Sequence, residues 1–274
     1  MIAPRPDDIV LPADWPVRAR LEILARHQRI VFLAGLPGVG KSLLVQQLAR
    51  MAHRAERRVS LLQWDVARSP FETPEILARY PEIDGFTHAA VKKAVGLWAR
   101  DAVLRWHEDN PDSAAMLIAE SALIGNRLIE LAQPADDWAE PLLASDALRF
   151  IVPVPTREVR ARIEAARERT IQAPRHPRET ADAPPNVLRA LWRDVYREGA
   201  PSPAADDVPA YDPAIYAMVF ERWLEARQTE TLSIDRIVDG STSAYQLGVP
   251  ATDLVASPAE VAQVMKRINR MFEP

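Results

Sequence analysis

Two periodicities of apolar residues run along this chain and divide it into short strands and longer helices. Residues 30–34, Ile-Val-Phe-Leu-Ala, are apolar throughout, the pattern of a central parallel strand buried on both faces. Similar runs at 59–64, 114–120, 149–155 and 231–238 predict four more strands. Between them the period changes to that of a helix: Val17, Leu21 and Leu24 over 16–27; Leu44, Leu48, Met51 and Ala55 over 41–55; Val91, Val95, Trp98 and Ala102 over 87–107. Thr156 caps a helix predicted over 157–172, Asn186 one over 187–198, and Asp212-Pro213 opens another. Ser257-Pro258-Ala259-Glu260 is a capping box for a last helix. Residues 69–85 lack a period, proline-rich 173–185 has the composition of a lid-type connector, and 199–212 that of an exposed linker.

The chemistry collects where the first strand meets its helix. Gly35, Leu36, Pro37, Gly38, Val39, Gly40, Lys41 and Ser42 fit G-x-x-x-x-G-K-[S/T], in which glycines turn successive backbone N–H groups toward a polyphosphate at a helix N-terminus. Lys41 is placed to reach β- and γ-phosphates and Ser42 to hold Mg²⁺; Leu43, in the first helical turn, completes the expected nucleotide-binding set. Asp65 is expected at the end of the second strand, on the same carboxyl edge, as a general base, a Mg²⁺-water ligand or an acceptor ligand, with Arg68 close behind for an anionic acceptor. The third strand ends in Glu120, a candidate Mg²⁺ ligand through water, and Arg127 follows as a second acceptor-binding candidate. Five arginines fall within residues 157–169; of these Arg160 and Arg167 are the candidates for a transferring phosphoryl group. Trp98 is assigned to packing, and His88 and His107 have no second metal ligand at matching spacing, so no metal site built from protein ligands alone is expected.

Composition narrows this further. With 34 Lys+Arg against 38 Asp+Glu the net charge is -4, so no global field recruits nucleic acid, and no nucleic-acid partner is expected. The absence of cysteine excludes a disulfide framework and thiolate chemistry and fits a reducing cytoplasm, the location expected here. No segment approaches a membrane span and the N-terminus lacks an apolar signal core, so a soluble protein without membrane partners is expected.

On the eight-residue loop, Asp65 after the second strand and the arginine-rich helix after the fourth, the chain resembles the nucleotide- and small-molecule-kinase branch of P-loop proteins: shikimate, gluconate and nucleotide kinases, chloramphenicol phosphotransferase and zeta toxins. The resemblance implies an α/β fold, a three-layer α/β/α P-loop NTPase domain with a five-stranded parallel sheet in order 2-3-1-4-5. Its core would be 16–65, 112–156 and 229–274, its acceptor lobe about 66–111, and its lid and helical insertion about 157–228. It further implies a kinase using ATP and Mg²⁺, with a nucleoside triphosphate and a small-molecule or nucleotide acceptor as partners. The loop between the fifth strand and the last helix, about 248–257, is a candidate adenine contact. The Asp-Gly-Phe-Pro-Arg segment of adenylate kinases is absent after the third strand, and Glu120 stands where motors and GTPases carry Asp. A nucleotide-sensing or NTP-hydrolysing module acting through a protein partner is the alternative; the Asn-Lys-x-Asp guanine motif and the Leu-Ser-Gly-Gly-Gln signature are both absent.

Overall fold

The computed structural model describes residues 9–83, 86–199, 210–238 and 243–272. In chain order the elements are α1 (Pro16–His27), β1 (Ile30–Ala34), α2 (Lys41–Arg54), β2 (Arg58–Gln63), α3 (Trp64–Arg68), α4 (Pro74–Arg79), α5 (Ala89–Asp109) and β3 (Ala115–Ser121). There follow α6 (Ile129–Ala132), α7 (Glu140–Leu143), β4 (Leu148–Pro155), α8 (Arg157–Gln172), α9 (Pro185–Gly199), α10 (Pro213–Trp223), β5 (Thr229–Ile234), β6 (Ala251–Asp253) and α11 (Pro258–Met271). A 3-10 turn, Pro177–Ala181, joins α8 to α9.

The strands form one parallel sheet in the order β5-β4-β1-β3-β2-β6, with Ile30 of β1 facing Leu117 on one side and Leu148 on the other. Helices cover both faces, an α/β arrangement compatible with a three-layer α/β/α fold. The count and order differ from the expected five strands in order 2-3-1-4-5: a sixth strand, β6, pairs with β2 through Val59 and Ala251. Its three residues are all exposed, so no apolar alternation marks them in the sequence. Parallel pairing to β2, not hydrophobic pattern, makes them a strand.

Alternate residues of β1 build two cores. Ile30, Phe32 and Ala34 point to a face packed by α5, α10 and α11, where Phe32 stacks on Phe150 with ring centroids 4.9 Å apart. Val31 and Leu33 point to the other face, against Leu21 and Leu24 of α1 and Leu44 and Leu48 of α2. All five residues are buried because both faces are covered, which is why the run carries no polar position.

Other expectations shift at their ends. β2 stops at Gln63, and Asp65 falls in the first turn of the short helix α3 rather than at a strand end. β5 covers 229–234 rather than 231–238. α9 begins at Pro185, so Asn186 lies inside its first turn instead of capping it. The interval 69–85 contains α4, capped by the Thr73 hydroxyl accepting from Ile76 N–H. Within the 199–212 linker only 199 and 210–212 are described, and Asp239-Gly240, expected just after the fifth strand, lies outside the described residues. Among the described residues no helix is long and apolar enough to cross a membrane.

β5 and β6 are the opposite edges of the sheet, and described residues of the connection between them lie against α2. Val238, Leu247 and Val249 pack on the α1/α2 core. Gln46, buried in α2, donates its amide to the Ser243 carbonyl at 3.0 Å, and Arg50 donates Nε to the Leu247 carbonyl at 3.1 Å. This strap brings Tyr245 to the N-terminus of α2.

Candidate functional site

The glycine-rich loop, residues 35–42, lies at the carboxyl edge of the sheet between β1 and α2. Leu36 and Val39 are fully buried in the core and anchor it, while Gly38 (φ 75°) and Gly40 (φ 92°) adopt left-handed conformations that side chains disfavour. Gly40 is the N-cap of α2 and offers no side-chain oxygen, so the first backbone N–H groups of that helix have no cap. At the other end, Tyr216 of α10 is wholly buried and its hydroxyl accepts from Leu36 N–H at 3.2 Å. A Cβ at position 35 would stand 2.4 Å from that oxygen, so the hydroxyl requires glycine there.

Lys41, 7 % exposed, donates Nζ to the Leu36 carbonyl at 3.0 Å and stands 3.8 Å from Glu120 Oε1 at the end of β3. Burial lowers the Lys41 pKa to about 8, against the attraction of Glu120 and with the help of Arg167, Arg127 and Arg160. Burial likewise raises the pKa of Glu120, which accepts from the Ser42 hydroxyl at 3.4 Å. Burial and the neighbouring arginines disfavour the charged amine, and burial disfavours the charged carboxylate, each against the attraction of the other.

The roof comes from α8 and α9. Arg160, 1 % exposed, donates Nη1 to the Pro37 carbonyl at 2.7 Å and Nε to Glu164 at 2.7 Å, and its guanidinium lies 5.7 Å from the Tyr211 ring centre. Among the described residues its Nη2 is buried without a partner. Arg167 pairs with Asp182, and its Nε is also buried without a partner among the described residues; burial lowers its pKa. Asp182 in turn accepts from the Tyr245 hydroxyl at 2.6 Å, which ties the roof to the strap. The other arginines of α8 point away: Arg157 pairs with Asp212, and exposed Arg162 with Glu158. Helical spacing turns Arg162 away from Arg160 and Arg167, whereas Arg157 shares their side of the helix and is drawn off by Asp212.

Asp65 is exposed at the start of α3, and its charge acts on Arg127, whose pKa burial otherwise lowers. Arg68 is engaged within its own lobe, donating to Glu72 at 2.9 Å and Thr87 at 3.0 Å and lying 3.5 Å from Glu82. Leu43 is half-buried against the α1/α2 core. Lys41, Ser42, Glu120, Arg127, Arg160 and Arg167 are therefore brought together around the loop, Asp65 sits at their margin, and Arg68 is held among acidic neighbours. Tyr216, Tyr245 and Asp182 belong to the site but carry no local sequence signal, since each reaches it from an element distant in the chain.

Among the described residues no cluster of three or more His, Asp or Glu could hold a metal ion on side chains alone. The unpartnered guanidinium nitrogens, the uncapped start of α2 and the buried Lys41 are complementary to a polyanion instead. In comparisons with known proteins, no family model, no curated protein and no solved structure matches this chain.

Proposed function

We propose that the chain transfers the γ-phosphoryl group of Mg·ATP to a small hydroxyl- or phosphate-bearing acceptor. The observation that carries this reading is the pair of buried donors without partners among the described residues, Arg160 Nη2 and Arg167 Nε, in the roof above a glycine-rich loop that contains Lys41. Buried donors left unpaired are costly, and a phosphate offers the oxygens they lack.

In this reading the backbone of residues 35–43 and Lys41 cradle the donor phosphates, and Ser42 with Glu120 hold Mg²⁺, which neutralises phosphate charge. Arg160 and Arg167 offset the charge that develops on the transferring group, and α8 and α9 exclude water. Asp65 orients the acceptor hydroxyl and takes its proton. The acceptor oxygen forms the new bond to phosphorus as the bond to the β-phosphate bridging oxygen breaks, and that oxygen keeps the electron pair. Arg127, partly relieved of desolvation by Asp65, faces an anionic acceptor; Arg68 steadies the lobe that carries it. The net charge of -4 gives no global attraction for a nucleic acid strand and favours a small acceptor.

An ADP-release assay over a panel of sugars, hydroxy acids, amino alcohols and nucleoside monophosphates tests the proposal. One acceptor class should stimulate release strongly in the wild type and not in Lys41→Ala. Stimulation by no acceptor, with turnover appearing only when a protein partner is added, would favour the nucleotide-operated module instead.

A further inference from the structure

Three tyrosines stand around the loop and its roof, and they differ in what their hydroxyls touch. Tyr216 is wholly buried and accepts from Leu36 N–H, and the Tyr211 hydroxyl is buried without a partner among the described residues. Tyr245, half-buried on the strap, donates instead to a carboxylate, Asp182 Oδ1, at 2.6 Å. The groups whose charge or hydrogen bonding acts on that hydroxyl are Glu120, Arg167, Ser42 and Asp65. These are the residues to which the proposed reaction gives the Mg²⁺, the transferring phosphoryl group and the acceptor. A phenol therefore stands where a phosphoryl group would be handed on, with a carboxylate against its proton.

Its position is fixed from two sides. Gln46 of α2 holds the Ser243 carbonyl at 3.0 Å and Arg50 Nη2 holds the Gln246 carbonyl at 3.1 Å, so the strap is tied on either side of Tyr245 to the helix that starts at the loop. The His176 ring lies beside the Tyr245 ring, with centroids 5.8 Å and planes 28° apart. A nucleophile held in this way needs little ordering to react.

The geometry points to Tyr245 as an internal phosphoryl acceptor: with Mg·ATP on residues 35–43 and no small acceptor present, the protein phosphorylates its own Tyr245 hydroxyl. This rests on the phosphoryl-transfer reading of the site. Tyr245 Oη forms a bond to the γ-phosphorus as the bond from phosphorus to the β–γ bridging oxygen breaks. That oxygen keeps the electron pair and leaves on ADP, and the phenolic proton passes to Asp182. Burial raises the pKa of Tyr245, so the phenol keeps its proton at neutral pH and needs this base. Asp182 also pairs with Arg167. Drawing Arg167 to the γ-phosphoryl group takes a cation from the carboxylate and strengthens it as a base, so the base is armed when the phosphates are in place. The phosphate left on Tyr245 stays beside Arg167, a partner for its added charge.

The full chain, treated with a phosphatase and freed of it, is incubated with Mg·[γ-³²P]ATP without acceptor, and the label is located by tandem mass spectrometry. One phosphoryl group per chain should appear on Tyr245, at a rate per chain independent of protein concentration, and none in Tyr245→Phe or Lys41→Ala. Asp182→Asn should slow the labelling about 100-fold or more. Label on another residue, full labelling of Tyr245→Phe, an unchanged rate in Asp182→Asn or a rate per chain that rises with concentration would overturn the inference. So would an unlabelled Tyr245 in a chain that binds Mg·ATP; if that chain also releases ADP with a small acceptor, the transfer reading stands without the inference. No Mg·ATP binding by the folded wild type would overturn both.

Discussion

Lys41 Nζ stands 3.8 Å from Glu120 Oε1, yet burial outweighs their attraction and pushes both groups toward their neutral forms. A lysine with a pKa near 8 at the start of a helix, beneath Arg160 and Arg167, is a group whose charged form the proposed polyanion would stabilise.

Phosphate binding should therefore be linked to one proton. A bound polyanion favours the charged amine, so affinity should be flat below about pH 8 and fall by up to about tenfold per unit above it. Fold stability should run the other way. The folded protein releases this proton near pH 8, whereas an ordinary lysine holds it to 10.5, so in that window the unfolded chain binds more protons and stability rises with pH. The stability difference between the wild type and Lys41→Met, measured by urea unfolding from pH 7 to 10.5, isolates the effect. A difference independent of pH would show that the amine is not desolvated.

The two arginine sets of α8 should separate in a kinetic assay. Arg160→Gln should lower kcat about 100-fold or more, because Arg160 is buried at the loop with a donor to spare. Arg162→Gln should leave kcat within about twofold, since its guanidinium is exposed and paired only with Glu158 one turn away. Equal effects of the two would remove α8 from the mechanism.

Gly35 and Tyr216 should be coupled in stability. Gly35→Ala places a Cβ 2.4 Å from the Tyr216 hydroxyl and should cost about 2–3 kcal/mol. Tyr216→Phe alone should cost about 1 kcal/mol through the Leu36 N–H it leaves without an acceptor. In the double variant the added cost of Gly35→Ala should shrink by about 1 kcal/mol, because the clashing oxygen is gone. Additive costs in denaturant unfolding would contradict the contact.

Glu140 holds two buried arginines, Arg100 at 2.8 Å and Arg227 at 2.7 Å, joining α5 to the segment before β5. Glu140→Gln should destabilise the fold by about 3 kcal/mol while leaving phosphate affinity unchanged, since neither arginine faces the loop. Loss of affinity at full stability would be the contrary result.

What the sequence made legible was whatever rests on local pattern. The continuous apolar run of β1 reflects burial on two faces, and the loop after it is marked by glycines that the backbone needs at 38 and 40. Helical period put Arg160 and Arg167 on one side of α8 and Arg162 on another. What stayed hidden depends on contacts between distant segments. β6 is three exposed residues made a strand only by pairing with β2. Tyr216 has the spacing of a core residue, and nothing local shows that its hydroxyl meets Leu36. Arg68 is expected at the acceptor by its nearness to Asp65, but Glu72, only four residues on, and Glu82, brought back by the turn of the chain, engage it.

Titration of Mg·ATP into the wild type and Lys41→Ala at pH 7 tests the central claim most directly. The account predicts saturable one-to-one binding by the wild type and a loss of about tenfold or more in the variant, with both proteins folded by circular dichroism. No binding by the folded wild type, or equal binding by the two proteins, would contradict it.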